Sequence, residues 1–305
     1  MKKLIFTPLV IITLLYSCQK EDTGHCLYKN YTGTLPWPIN APAFNPSNPD
    51  QFLCLNANGS VVFYNISTGT SSPFNSSKVG VGYQTKISWG TNNILLFSWV
   101  YFGNKQGTFV KYTLAGDSVT GPVINGGCWD WSPDCSKVLS LVNTANYPPI
   151  LSAPYELIMY SFGGTVLDSL YLDAISDYSW SPNDRIAIAN NYKYLSIYDS
   201  LFNPIKTLRV INDDYLYNYI FSVAWIPNSP KIAWSSFTGI YITDISNGNT
   251  VMLKAGSTSL IYKGICVSPD GNTLAANVEN WNGCEETNGL HIINLNTGNE
   301  QVIYP

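Results

Sequence analysis

The sequence is poor in the groups that usually carry chemistry. Only two histidines stand among its 305 residues. They are His25 and His291, too few for the histidine-rich metal sites that some enzymes build. No Gly-x-Ser-x-Gly pentapeptide occurs, so the strained turn that presents a hydrolytic serine is missing. No Cys-x-x-Cys spacing occurs either, which argues against structural zinc and thioredoxin-like redox chemistry. Charge is sparse at 12%, and 16 Lys and Arg face 20 Asp and Glu for a formal charge of −4. Without a basic cluster there is nothing to neutralise a phosphate backbone, and nucleic acid is excluded as a partner. Asp213-Asp214 and Glu285-Glu286 remain as pairs for acid–base work or calcium, but adjacent loop carboxylates are more often simply solvated. The expectation is a protein without catalytic residues, cofactor or metal.

What the chain does have is apolar and aromatic surface. Hydrophobic residues make up 45%, with 21 Tyr, 9 Trp and 12 Phe. That is the composition of a folded protein whose large rigid side chains suit pleated strands, so an all-β fold is expected.

The first residues are of another kind. Lys2 and Lys3 precede an apolar run from Leu4 to Leu15, too short to span a bilayer comfortably and flanked like a secretory signal. Leu15-Tyr16-Ser17-Cys18 resembles a bacterial lipobox, which implies cleavage before Cys18 and acylation of that cysteine. Gln19-Lys20-Glu21-Asp22 resembles the export signal that follows the cysteine in Bacteroidetes surface lipoproteins, carried here by Lys20, Glu21 and Asp22. The alternative for those residues is a plain solvated tether on a periplasm-facing anchor. The expected organisation is a signal peptide over 1–17, a lipidated tether and linker over 18–36 and one domain over 37–305. The chain would then be an outer-membrane lipoprotein, at the cell surface or facing the periplasm, that meets the membrane through lipid alone. Loss of residues 1–17 removes two lysines and no acid, taking the formal charge from −4 to −6.

Within 37–305 one pattern recurs in phase. A large apolar residue precedes a turn, commonly a small residue, Pro and Asp or Asn, and a short apolar strand follows. Its leading positions are Phe44, Trp89, Trp131, Trp180, Trp225 and Val267. A second pattern recurs between them, a strand with Tyr or a β-branched residue near its end and then a polar turn, as in "VVFYNISTGT", "IYITDISNGN" and "HIINLNTGNE". Each unit therefore holds four strands, in the third unit 126–131, 137–142, 156–160 and 166–170. Pro presets φ for the first turn position, and Gly271 supplies left-handed backbone, a place taken elsewhere by Cys135, Asp184 and Asn93. A lone four-stranded sheet leaves a face in water, whereas six arranged radially cover one another. Trp89, Trp131, Trp180 and Trp225 are then spacers between neighbouring sheets, core residues rather than ligand contacts.

With these six phased copies the chain resembles the TolB-like six-bladed β-propellers, whose repeats carry a Trp-Ser-Pro-Asp-Gly hairpin. The resemblance covers about 37–305 and implies six four-stranded antiparallel blades. Blades one and two depart from it, with Asn45-Pro46-Ser47-Asn48-Pro49 and Gly90-Thr91-Asn92-Asn93 in place of the usual turn. Trp129-Asp130 is similar to a WD40 signature but sits on the wrong strand and has no Gly-His partner. Propellers of the TolB-like kind bind proteins, peptides or small ligands, and the fold does not choose among them.

In such a fold the turns after the first and third strands of each blade share one face. They are short here. The opposite face carries the longer connections 100–107, 143–154, 210–220 and 277–289. These bring Tyr101, Phe102, Tyr147, Asp213, Asp214, Tyr215, Tyr217 and Trp281 to a common rim, the candidate binding site for an envelope protein or peptide, or for a glycan. The bland alternative is a tyrosine-rich chain whose loops contain tyrosine. Six cysteines beyond Cys18 allow fifteen pairings, with Cys266 and Cys284 in one blade as the first candidate disulfide. A four-residue turn is expected to set Cys128 opposite Leu139, away from Cys135. The functional expectation is a non-enzymatic interaction module, with a glycan-binding surface lipoprotein and a carboxylate-dependent enzyme as the rivals.

Overall fold

The computed structural model describes residues 42–303, apart from 56–60, 75–83, 91–93, 102–105, 115–116, 144–153, 212–218, 258–259 and 281–288. The described chain is all β, a six-bladed propeller of antiparallel sheets with the strands of each blade in sequence order from axis to rim. Blade one is β1 (Ala43–Asn45), β2 (Asn48–Leu55), β3 (Val61–Asn65) and β4 (Thr70–Pro73). Blade two is β5 (Gln84–Trp89), β6 (Ile94–Tyr101), β7 (Gln106–Thr113) and β8 (Ser118–Thr120), with β9 (Ile124–Asn125) also pairing to β7. Blade three is β10 (Gly127–Trp131), β11 (Lys137–Asn143), β12 (Pro154–Ser161) and β13 (Val166–Asp173). Blade four is β14 (Asp177–Trp180), β15 (Arg185–Asn190), β16 (Tyr194–Asp199) and β17 (Pro204–Arg209). Blade five is β18 (Ser222–Ile226), β19 (Lys231–Ser236), β20 (Gly239–Asp244) and β21 (Thr250–Ala255). Blade six is β22 (Leu260–Val267), β23 (Thr273–Asn280), β24 (Leu290–Asn294) and β25 (Glu300–Ile303).

The recurring turn works through its serine as much as through its proline. Ser132, Ser181 and Ser268 are buried. Each hydroxyl accepts the first amide of the second strand, Lys137 at 2.9 Å, Arg185 at 2.8 Å and Thr273 at 2.9 Å. In blades three and six the same hydroxyl donates to the turn aspartate, Asp134 or Asp270. Left-handed backbone closes the turns at Cys135 (φ 59°), Asp184 (φ 59°) and Gly271 (φ 72°), as the sequence predicts. Blade five differs, placing it one step earlier at Asn228 (φ 58°). Asn93 lies outside the described residues.

The aromatics act as spacers, and always towards the preceding blade. Trp131 packs with Phe109 of blade two, Trp180 with Leu139 and Leu157 of blade three, and Trp225 with Ala187 and Ile197 of blade four. Phe44 takes this place at the ring closure, among Ala275, Leu290 and Ile292 of blade six. Burying about 150–250 Å² of such a ring contributes roughly 4–6 kcal/mol by area. The register corrects one detail of the sequence reading. Leu139 faces Asp130 and not Cys128, because the turn closes one residue further on, with the Ser132 amide on the Lys137 carbonyl, and sets Trp131 opposite Val138.

Candidate functional site

The innermost strands enclose a central channel of about 640 Å³. Its two mouths differ because different segments reach them. On the side of the first-strand turns it is lined by Pro46, Pro133, Pro182, Pro227 and Pro269, so the prolines that shape the hairpins also make an apolar collar. On the side of the longer connections it is lined by Ser176, Tyr219, Phe221 and Lys263.

Side chains on the channel wall tie successive blades together. The Asp130 carboxylate of blade three accepts from the Trp180 amide of blade four at 3.1 Å. Asp177 of blade four accepts from the Ser222 hydroxyl at 2.7 Å and the Val223 amide at 2.8 Å in blade five. The Ser222 oxygen in turn accepts from the Ile265 amide of blade six at 3.2 Å. Trp225 reaches back, its Nε1 donating to the Ser179 carbonyl at 3.0 Å. The corresponding indole nitrogens of Trp89, Trp131 and Trp180 are buried and have no acceptor within bonding distance among the described residues. The two channel carboxylates thus serve as anchors for backbone and hydroxyl donors of the next blade.

At the loop-rich mouth an aromatic cluster spans blades four and five. Tyr219 stands 4.6 Å from Phe221 and 5.4 Å from Phe237, Phe221 stands 4.6 Å from Phe237, and Tyr192 stands 6.0 Å from Tyr219. All four are edge-on contacts, an arrangement that ring quadrupoles favour. Lys263 of blade six lies over the Phe221 ring at 5.5 Å, a cation–π distance. Tyr192 adopts left-handed backbone at φ 64°, costly for so bulky a residue. Two bonds hold it there, as the Ile220 amide donates to the Tyr192 carbonyl at 3.1 Å and the Lys193 amide to Asn191 at 2.8 Å. Burial raises its phenol above the ordinary tyrosine value, helped by the nearby hydroxyls of Tyr155 and Tyr219. Tyr155 adds blade three to this crescent.

Of the rim residues expected from sequence, Tyr101 ends β6 opposite Gln106. Phe102, Tyr147, Asp213, Asp214, Tyr215, Tyr217 and Trp281 lie outside the described residues, as do Glu285-Glu286 and the segment holding Cys18, Lys20, Glu21 and Asp22. Cys284 is also outside them, so the pairing with Cys266 falls there too. Cys54 and Cys135 are buried free thiols, Cys54 pushed by burial up to about 12. Sequence reasoning missed Tyr192, Tyr219, Phe221, Phe237, Lys263 and the two channel aspartates. Tyr219 closes the very stretch that contains Tyr215 and Tyr217. The signal for the aspartates was an acidic residue one or three places before the recurring tryptophan, on an inner strand rich in apolar residues.

His291 lies in the third strand of blade six, buried, with its Nδ1 2.6 Å from Glu300 Oε1. The Tyr262 hydroxyl donates to that same oxygen at 3.0 Å, and Lys254 of blade five pairs with the other at 2.7 Å. This is a packed ionic network between the last two blades. Among the described residues no group of three or more His, Cys, Asp and Glu is placed to hold a metal ion.

The class is therefore a six-bladed β-propeller with a channel that is aromatic at one mouth and proline-collared at the other. No family model matches the chain, and no curated protein matches it.

Proposed function

We propose that the chain is a TolB-like, lipid-anchored propeller of the bacterial envelope that binds a protein or peptide through its loop-rich face without transforming it. The observation that carries this reading is the aromatic crescent of Tyr192, Tyr219, Phe221 and Phe237 beside Lys263, on the side where the longer connections gather. Such rings offer large contact area at small entropic cost, and interface hot spots are rich in them. Anchoring at Cys18 and routing by Lys20, Glu21 and Asp22 would place that face towards envelope partners.

The test is capture from envelope extract by crosslinking, with Tyr219→Ala and Phe237→Ala combined in one folded variant. Loss of a specific crosslinked partner is expected; capture identical to the parent chain would remove the crescent from the function. Fatty-acid labelling that persists in Cys18→Ala would remove the anchor.

A glycan is the second reading, because the same half-buried rings present faces or edges at the channel mouth on which sugars can stack. Trp89, Trp131, Trp180 and Trp225 line the channel, so their fluorescence reports occupancy. A flat response to a panel of envelope and dietary polysaccharides sets this reading aside.

A further inference from the structure

A propeller leaves one unpaired strand edge per blade, and most edges here are blunted. β4 has four residues and ends in Pro73, β8 has three and β25 has four. β17 begins with Pro204 and carries Lys206 and Arg209, and β21 carries Lys254. Shortness, proline and lysine are the usual defences against strand addition. β13 has none of them. It runs for eight residues, Val-Leu-Asp-Ser-Leu-Tyr-Leu-Asp, in ladder with β12 as far as Pro154 opposite Asp173, and its outer side is met by blade four at the last residue, where the Asn191 amide donates to the Asp173 carbonyl at 3.1 Å. Val166, Leu167 and Tyr171 are 57%, 49% and 63% exposed on it.

The charge on this edge is of one sign. From Pro154 to Asp173 the sequence contains Glu156, Asp168 and Asp173 and no Lys or Arg. Glu156 lies across from Tyr171 and accepts its hydroxyl proton in a hydrogen bond, which raises that phenol. The Ser169 amide takes its acceptor from the Asp168 carboxylate at 2.8 Å, a local substitute for a strand partner.

We infer that the outer edge of β13 is a docking site for an extended, basic segment of a partner protein, which adds to blade three as a fifth strand. An incoming carbonyl takes over the Ser169 amide, and Asp173 and Glu156, which share the face of Tyr171, pair with Lys or Arg side chains of the added strand, while the released Asp168 carboxylate turns to solvent on the other face. Main-chain bonds supply affinity in this mode, and the alternating side chains supply selectivity. The site is separate from the channel and its aromatic mouth, and stands or falls independently of the function proposed above.

The test uses the full chain and labelled synthetic peptides of alternating Lys and Val, alternating Glu and Val, and the Lys-Val sequence with a central proline. Fluorescence anisotropy is expected to show saturable, salt-weakened binding of the Lys-Val peptide and roughly tenfold or weaker binding of the other two. Glu156→Lys with Asp173→Lys, on the one face, is expected to reverse the preference in favour of the Glu-Val peptide. Hydrogen exchange on the unmodified chain is expected to show new protection of β13 amides when the Lys-Val peptide binds, a readout that holds even if the double variant does not fold. Equal binding of the proline peptide reduces the effect to surface electrostatics and overturns the inference. Protection confined to other strands does the same, and so does a concentration-dependent dimer abolished by the double variant, which makes a second copy the occupant.

Discussion

The Asp177 carboxylate of blade four receives the Val223 amide of blade five at 2.8 Å across the wall of the channel. It also takes the Ser222 hydroxyl, whose oxygen accepts from Ile265, so one side chain begins a relay through three blades. Removing the acceptor leaves a buried amide without its partner, which costs about 1–3 kcal/mol. Asp177→Ala is expected to lower the urea midpoint accordingly, and Asp177→Asn to lower it less. A variant with unchanged stability would free the carboxylate for another role.

The four tryptophan spacers fill equivalent gaps but differ in their indole nitrogens. Among the described residues only Trp225 of the four finds an acceptor for its Nε1, at Ser179, and that of Trp180 has none within bonding distance. Phenylalanine removes similar volume at both positions, so the difference between the two isolates the hydrogen bond. Trp225→Phe is expected to be more destabilising than Trp180→Phe by about 1 kcal/mol. Equilibrium denaturation of the two variants side by side decides it.

Acid should loosen the join between blades five and six. Partial burial works against ionisation of Glu300, but hydrogen bonds from Lys254, His291 and Tyr262 outweigh it and hold the carboxyl below the ordinary glutamate value. The unfolded chain therefore takes up this proton first. The stabilisation is complete above about 4.3, the unfolded glutamate value, and is lost as pH falls through the lower folded one. Glu300→Gln is expected to flatten that part of the stability profile, measured as thermal midpoint against pH. An unaltered slope would assign the acid sensitivity to other groups, such as the turn aspartates Asp134 and Asp270, which are also held low.

Gly271 closes the blade-six hairpin at φ 72°, and an added Cβ would approach the Pro227 carbonyl oxygen to 3.2 Å. Gly271→Ala is expected to cost about 1–2 kcal/mol in chemical denaturation, from left-handed strain and that contact together.

The repeat made the architecture readable because each copy states a physical need. The tryptophans are large enough to fill a widening gap, and the Pro and Gly or Asp of each turn preset the backbone that the hairpin requires. Lys111 was unreadable by the same logic. It crosses from blade two to lie 3.8 Å from the Phe162 ring centroid of blade three and donates to the Cys135 carbonyl at 2.8 Å. Its partners are more than twenty residues away, and no local pattern announces such a meeting. The candidate rim was legible only as a side of the ring. Tyr219 reaches the channel mouth because of how blades four and five are joined, and spacing along the chain does not distinguish it from Tyr215 or Tyr217.

Among the described residues every blade is one continuous stretch of chain, and blade one meets blade six through side chains such as Phe44 and Leu290 without a shared strand. In that plan the molecule has no privileged beginning. The covalent links between modules decide the order of synthesis, while the circular assembly recognises only neighbours, so duplication or transfer of a whole module adds or replaces one segment without rethreading the rest.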